Sequence, residues 1–226
     1  MPRKRANTNN SQTKNNTRRG VTGRSPNQKK ILRSIKNNHI TLCSGPAGSG
    51  KTHLSVGAAV EYLRKGLVQK IVITRPIVQA GERIGYLPGT AEQKLDPYLY
   101  PVFDEFSYFL DQSDIIALKE DKKIEVVPLA LMRGRNFHKS FIIGDEMQNA
   151  TREQMRMFVT RMGMESKLVI SGDLTQSDLP YDRRGGFQLF LDRLSGAEGI
   201  GVCRLEKNDI VRNPIIPIVL DRIDDN

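Results

Sequence analysis

Short apolar runs recur along the chain, separated by longer stretches in which apolar residues return every third or fourth position. Ile40–Cys43, Lys70–Thr74, Ile124–Val127, Ser140–Ile143, Lys167–Ser171 and Gly201–Leu205 are rich in β-branched or other apolar residues. Short runs of this kind predict buried strands. The stretches between them predict helices. Ser25-Pro26-Asn27-Gln28 opens one, with Ser25 as N-cap and Pro26 at the first helical position. It runs to about Asn37, with Ile31, Leu32 and Ile35 inward. A second covers Lys51–Lys65, with Leu54, Ala58, Tyr62 and Lys65 on one face. Residues 91–110 read as helix interrupted around Asp96-Pro97 and Tyr100-Pro101, after a glycine-punctuated loop from Gly81 to Gly89. Ile115–Lys119, a helix capped by Thr151, Phe187–Leu194 and a short closing helix follow. Strands alternating with helices predict an α/β fold, a mostly parallel central sheet flanked by helices.

Between the first strand and the second helix stands Gly45-Pro46-Ala47-Gly48-Ser49-Gly50-Lys51-Thr52. It fits the pattern G-x-x-x-x-G-K-[ST] in the strand–loop–helix context that a phosphate-binding loop requires. Gly45, Gly48 and Gly50 let backbone N–H groups face phosphate oxygens, and the helix N-terminus adds partial positive charge. Lys51 is placed to reach the β- and γ-phosphates, and the Thr52 hydroxyl to ligate Mg²⁺. The β- and γ-phosphates of a nucleotide, with Mg²⁺, are therefore the expected ligand.

Ser140–Glu146 is an apolar strand ending in two acids. With a phosphate loop upstream, Asp145 is expected to hold Mg²⁺ through water and Glu146 to polarise the attacking water. Gly144 stands just before the aspartate, where a bulky apolar residue is usual. Gly172-Asp173-Leu174-Thr175-Gln176 follows the next strand, where open α/β sheets bind ligands. Gln176 is the candidate for sensing the γ-phosphate or positioning water; the alternative is a turn with Asp173 as a cap. Gln28 is the candidate for an adenine edge, against a plain polar residue in the first helical turn. Tyr98, Tyr100, Phe103, Phe106, Tyr108 and Phe109 form an aromatic cluster that at helical spacing belongs in the core rather than stacking on bases.

Charge changes the picture at one end. The chain has 226 residues and a net charge of +10. Residues 1–24 hold seven basic residues and no acid, so they carry most of that excess. They are polar and nearly devoid of apolar residues, which predicts a disordered arm, with the globular domain over residues 25–226. Such an arm suits either contact with RNA or single-stranded DNA phosphates or simple solubility. No apolar run is long enough to span a membrane, and no signal-like segment opens the chain. Cys43 and Cys203 lie in apolar contexts and read as buried free thiols, which fits a reducing cytoplasm.

Gly45–Thr52, Thr74-Arg75-Pro76, Gly85–Gly89, Asp145-Glu146-Met147-Gln148-Asn149, Gly172–Gln176 and Asp209-Ile210-Val211-Arg212, in this order, resemble the PhoH-like ATPases. The likeness covers about residues 25–222. It implies a RecA-like P-loop NTPase related to the first domain of superfamily-one helicases, binding and hydrolysing ATP and associated with RNA. Two departures stand out: Asn213 where the family commonly has His, and Met147 where Ala is usual. No appended RNA-binding or nuclease domain, and no second RecA-like half, is expected. An ATP-binding regulatory module without turnover and a small-molecule or nucleotide kinase are the alternatives, with Arg133 and Arg135 imitating a kinase lid. Helicases of this lineage complete the ATP site with arginines from a second domain. With one half present, either the site stays incomplete or a neighbouring subunit supplies the arginine; the expectation is Arg212 acting across a ring homo-oligomer, a hexamer, and the alternative for Arg212 is a pair with a local acid such as Asp209. Arg75, Arg133 and Arg135 are the reserves.

Overall fold

A computed structural model describes residues 20–76, 101–211, 215, 219, 222 and 223. The chain runs α1 (Pro26–Asn37), β1 (Ile40–Ser44), α2 (Lys51–Arg64) and β2 (Lys70–Thr74). Then come α3, described over residues 101–106, α4 (Gln112–Glu120), β3 (Ile124–Val126) and β4 (Ser140–Gly144). It continues with α5 (Arg152–Val159), β5 (Lys167–Gly172), α6 (Gly186–Leu194) and β6 (Ile200–Arg204). The loop 81–89, the helix start with Tyr98 and Tyr100, the arm up to residue 19, and Arg212 and Asn213 lie outside the described residues.

The strands form one sheet in the order β3-β2-β4-β5-β1-β6, and every pairing is parallel. Parallel strands need crossovers, and the helices making them cover both faces. The strands accordingly send successive apolar side chains to opposite sides. Ile71 and Ile73 of β2, Phe141 and Ile143 of β4, Cys43 of β1 and Val169 of β5 face α1, α2 and the α3–α4 region. Val72, Ile142, Leu42, Leu168 and Ile170 face α5 and α6. The central strands β2, β4 and β5 are buried on both faces, whereas the edge strands β3 and β6 are partly exposed and carry Glu125 and Arg204.

Local sequence explains the helix starts. Ser25 and Thr151 are N-caps, each in a reciprocal capping box with the glutamine three residues on, Gln28 and Gln154. Gly57 lets two neighbours approach α2: a Cβ there would lie 2.6 Å from both Val21 and Phe109. Residues 20–24, assigned to the arm in the sequence, pack on the domain at this point. The Val21 amide donates to Glu61 Oε1 at 2.9 Å. Phe106 and Phe109 join the core as expected, whereas Tyr108 is exposed.

Candidate nucleotide site

β5 lies between β1 and β4, so the phosphate loop after β1 and the acids after β4 converge at the carboxyl edge of the sheet from either side of β5. β1 also carries β6 on its other flank, and such a reversal of strand order opens a ligand crevice. A cleft of ≈ 690 Å³ is found there, lined by Gln28, Gly48, Gly50, Lys51, Thr52 and Glu146, among others.

The loop takes its shape from Gly48 and Gly50, at φ 78° and 87°, where a side chain would be strained. Lys51 is buried, and its Nζ donates to the carbonyls of Gly45 at 2.8 Å and Pro46 at 2.9 Å. Ser49 Oγ donates to Pro46 O at 2.7 Å. Three distant segments brace the loop. Gln28 Nε2 donates to Ser49 O at 3.0 Å, Asp173 Oδ2 accepts from the Ala47 amide at 3.0 Å, and the Val211 amide donates to Gly48 O at 3.0 Å.

The acids are held as a unit. Asp145 is 1% exposed. Its Oδ1 accepts from Thr52 Oγ1 at 3.0 Å and Ser171 Oγ at 2.9 Å, and its Oδ2 from Arg75 Nη2 at 2.9 Å. Glu146 lies in the left-handed region at φ 53°, a conformation disfavoured for a residue with a Cβ. That turn aims its half-exposed carboxylate into the cleft, where Gln148 Nε2 donates to Oε2 at 2.6 Å and Arg75 Nη2 lies 3.6 Å from Oε1. Gln148 Oε1 in turn accepts from the Asp173 amide at 2.9 Å.

Thr52 and Asp145 fit Mg²⁺. Both offer hard oxygens, and Mg²⁺ takes one or two protein ligands when phosphates and water supply the rest. Among the described residues no group of three or more His, Cys, Asp or Glu is placed to hold a metal.

Several expected residues are differently engaged. Gln28 is 3% exposed, and its amide is fully used: Nε2 also donates to Asp209 O at 3.4 Å, and Oε1 accepts from the amides of Arg24 at 2.7 Å and Ser25 at 3.4 Å. An adenine contact requires one of these bonds to yield. Gln176 is exposed and does not line the cleft, because the turn after Asp173 carries it outward; its amide donates to Asp173 O at 3.2 Å. Gln148 is the amide that touches Glu146. Arg135 pairs with Glu125 and lies over the Phe137 ring at 4.8 Å, a structural tie rather than a lid.

Sequence reasoning gave no site role of their own to Ser171, to Gln148 or to His53, Glu105 and Tyr108, which form a wall of the cleft; Tyr108 was expected in the core. His53 Nδ1 and Glu105 Oε2 are 3.0 Å apart, and Tyr108 meets the His53 ring edge-on at 5.4 Å. Tyr108 lies in the turn that follows α3, so helical spacing gave no signal for this wall. Cys43 and Cys203 are free and buried, and burial pushes both thiols up, which keeps them protonated and unreactive.

A parallel sheet with this loop, this threonine and this aspartate defines a RecA-like P-loop NTPase. The fold matches the large terminase of a thermophilic bacteriophage with a TM-score of 0.54 at 14% identity, over 88% of this chain and 50% of that one. The particular kind is set by sequence: the PhoH-like protein family matches residues 20–224, and the chain belongs to that family. It is 41% identical over 207 residues to the PhoH-like protein of Synechocystis, covering 91% of this chain and 63% of the relative. It is 40% identical over 212 residues to that of Bacillus subtilis, covering 94% and 66%. The chain spans less than two thirds of either relative.

Proposed function

We propose that the domain binds ATP with Mg²⁺ and hydrolyses it, and that RNA or another single-stranded nucleic acid stimulates turnover. The observation that carries hydrolysis is Glu146, turned into the cleft beside the Thr52–Asp145 pair and held at one oxygen by Gln148. Mg²⁺ would supply charge neutralisation across the β- and γ-phosphates, held by Thr52 and by Asp145 through water. Lys51 exchanges its carbonyl partners for phosphate oxygens, and the loop amides complete the cradle. With Oε2 occupied by Gln148, Oε1 of Glu146 is the oxygen that accepts the proton of an attacking water as its oxygen bonds to the γ-phosphorus and ADP leaves.

Glu146→Gln keeps the size and loses the base. It is expected to retain Mg²⁺-dependent ATP binding while phosphate release falls roughly a hundredfold or more. Lys51→Ala is expected to weaken binding itself. Unchanged phosphate release in Glu146→Gln removes Glu146 from this role. Label appearing on a second molecule instead of free phosphate indicates a kinase, and binding without turnover indicates a regulatory module.

The nucleic-acid part rests on the basic residues 1–24. Deletion of residues 1–19, which spares the segment packed on α2, is expected to weaken binding of single strands and to flatten its salt dependence, by about 0.7 in slope for each phosphate that the arm no longer neutralises. The active form in this proposal is a ring, a hexamer, with Arg212 reaching a neighbour's γ-phosphate. The buried free thiols suit a cytoplasmic setting. Among the described residues no helix is long and apolar enough to cross a membrane.

A further inference from the structure

The cleft does not end at the phosphate loop. Its ≈ 690 Å³ falls within the roughly 300–1,000 Å³ that takes a whole small ligand. Lys51, Thr52 and Glu146 line the end at the acids. Loop amides cradle the α- and β-phosphates while the loop lysine reaches the β- and γ-phosphates. The nucleoside of a bound nucleotide therefore extends away from Glu146, into the part of the cleft lined by Thr22, Arg24, His53, Glu105 and Tyr108.

Helix α2 is the floor of that part. His53 and Gly57 are four residues apart and so share one face of the helix. At Gly57 the segments 20–24 and 105–109 close over α2, since a Cβ there would lie 2.6 Å from both Val21 and Phe109. One turn earlier, at His53, the same two segments line the cleft. The result is a slot that opens at the phosphate loop and is shut at Gly57.

The chemistry of the slot suits a base with its ribose. The Tyr108 and His53 rings stand at 81° with centroids 5.4 Å apart, which makes an aromatic corner. Tyr108 is 64% exposed, so its ring is open to a ligand. Phe109 packs on the His53 ring at 4.8 Å, and Glu105 Oε2 lies 3.0 Å from Nδ1. A carboxylate only accepts, so Nδ1 carries the hydrogen of this bond and the imidazole is held in place. Arg24 and Glu105 offset each other in charge, so this end does not draw a further phosphate as the Lys51 end does. Gln28 spends its amide on Ser49, Asp209, Arg24 and Ser25, which leaves base contact to other side chains.

We propose that Tyr108 and His53 form the base subsite of the cleft, with the base stacked on Tyr108. The inference rests on the reading of the cleft as a nucleoside-triphosphate site and adds the residues that take its nucleoside. Stacking selects by the size of the π-face and not by hydrogen-bond pattern. The subsite therefore favours purine over pyrimidine nucleotides and separates ATP from GTP poorly.

The test titrates the full chain, with Mg²⁺, against ATP, GTP, CTP and inorganic tripolyphosphate, which carries the phosphates without a nucleoside. Tyr108→Ala is expected to bind ATP and GTP at least about fivefold more weakly, the lower end for removing one stacked ring, and to bind tripolyphosphate like the wild type. Tyr108→Phe keeps the ring and should bind ATP like the wild type. The wild type should bind ATP more tightly than CTP, and Tyr108→Ala should narrow that ratio. Full ATP affinity in Tyr108→Ala, equal losses for ATP and tripolyphosphate, or a Tyr108→Phe variant as weak as Tyr108→Ala overturns the subsite and leaves the phosphate site standing. A wild type that binds neither ATP nor tripolyphosphate ends the nucleotide reading and this inference together. Binding is read in place of turnover, so the outcome does not depend on hydrolysis.

Discussion

Gly144 and Arg75 show how single residues set the acid site. A Cβ on Gly144 would lie 2.5 Å from Phe158 Cε1 and 3.1 Å from Met147 Cγ. The glycine before Asp145 therefore lets α5 close onto β4, and the phenyl ring fills the space that a larger residue would take. Gly144→Val is expected to cost about 1–3 kcal/mol by overpacking, measured by denaturant unfolding. Arg75 offsets the charge of Asp145 in a setting with almost no solvent. Arg75→Ala should destabilise the nucleotide-free protein by about 3 kcal/mol, since it leaves a buried carboxylate without its cation. Saturating Mg²⁺ and ATP should recover part of the lost melting temperature, because a second cation then faces Asp145. Equal losses with and without them would argue against the metal assignment.

At the scale of elements, α1 is a brace for the phosphate loop as much as a helix. Ser25→Ala should cost about 1 kcal/mol through the cap alone. Gln28→Ala removes the cap partner and the bond to Ser49 O, so it should weaken ATP and GTP binding together. A loss confined to ATP would restore the adenine contact as its main role. Asp209 joins α1 to the end of the chain, accepting from Asn27 Nδ2 at 2.9 Å and the Glu206 amide at 2.8 Å. Burial opposes its ionisation, yet the Glu206 amide and the Ser25 and Asn27 side chains hold its carboxyl below the ordinary 3.8. Burial likewise opposes Glu125, and Lys70 and Arg135 hold it below 4.5. Both groups bind fewer protons folded than unfolded in this range. Their stabilisation is thus present above about pH 4–5 and is lost as pH falls through the lowered values. In Asp209→Asn the loss of stability between about pH 5 and pH 3 should be shallower than in the wild type, as read from urea midpoints.

For the whole molecule the open question is assembly. Val211, the residue before Arg212, is tied to Gly48 of its own chain, while Arg212 lies outside the described residues, so action within one subunit and action across two are told apart by experiment. Mixing Lys51→Ala with Arg212→Ala separates the two geometries. If Arg212 acts across subunits, some interfaces in the mixture pair an intact Lys51 with an intact Arg212, and activity partly returns. An arginine finger is worth about a thousandfold or more in rate, so the recovery should stand well above either mutant alone. Exchange of tagged chains must be demonstrated first. With exchange shown, no recovery, or full activity of a monomer, ends the shared-site proposal.

The order of strands and helices, the N-caps at Ser25 and Thr151, and the phosphate loop were all legible in the sequence, whereas the glutamines that complete the capping boxes were not read as such. Each depends on residues a few positions apart, where backbone geometry alone dictates spacing. The pair Thr52 and Asp145 was legible too, because a hydroxyl after the loop lysine and an acid at a strand end carry their chemistry in their type. Tertiary structure decided what distance in the chain concealed. It made Gln148 rather than Gln176 the partner of Glu146, because a left-handed turn at Glu146 folds the next residues back while the turn after Asp173 leads away. It drew Gln28 into the phosphate loop, put Arg75 on both acids, and separated Tyr108 from the buried Phe106 and Phe109. These contacts join segments that only the parallel sheet brings together, with β5 set between β1 and β4, and no local pattern encodes that order.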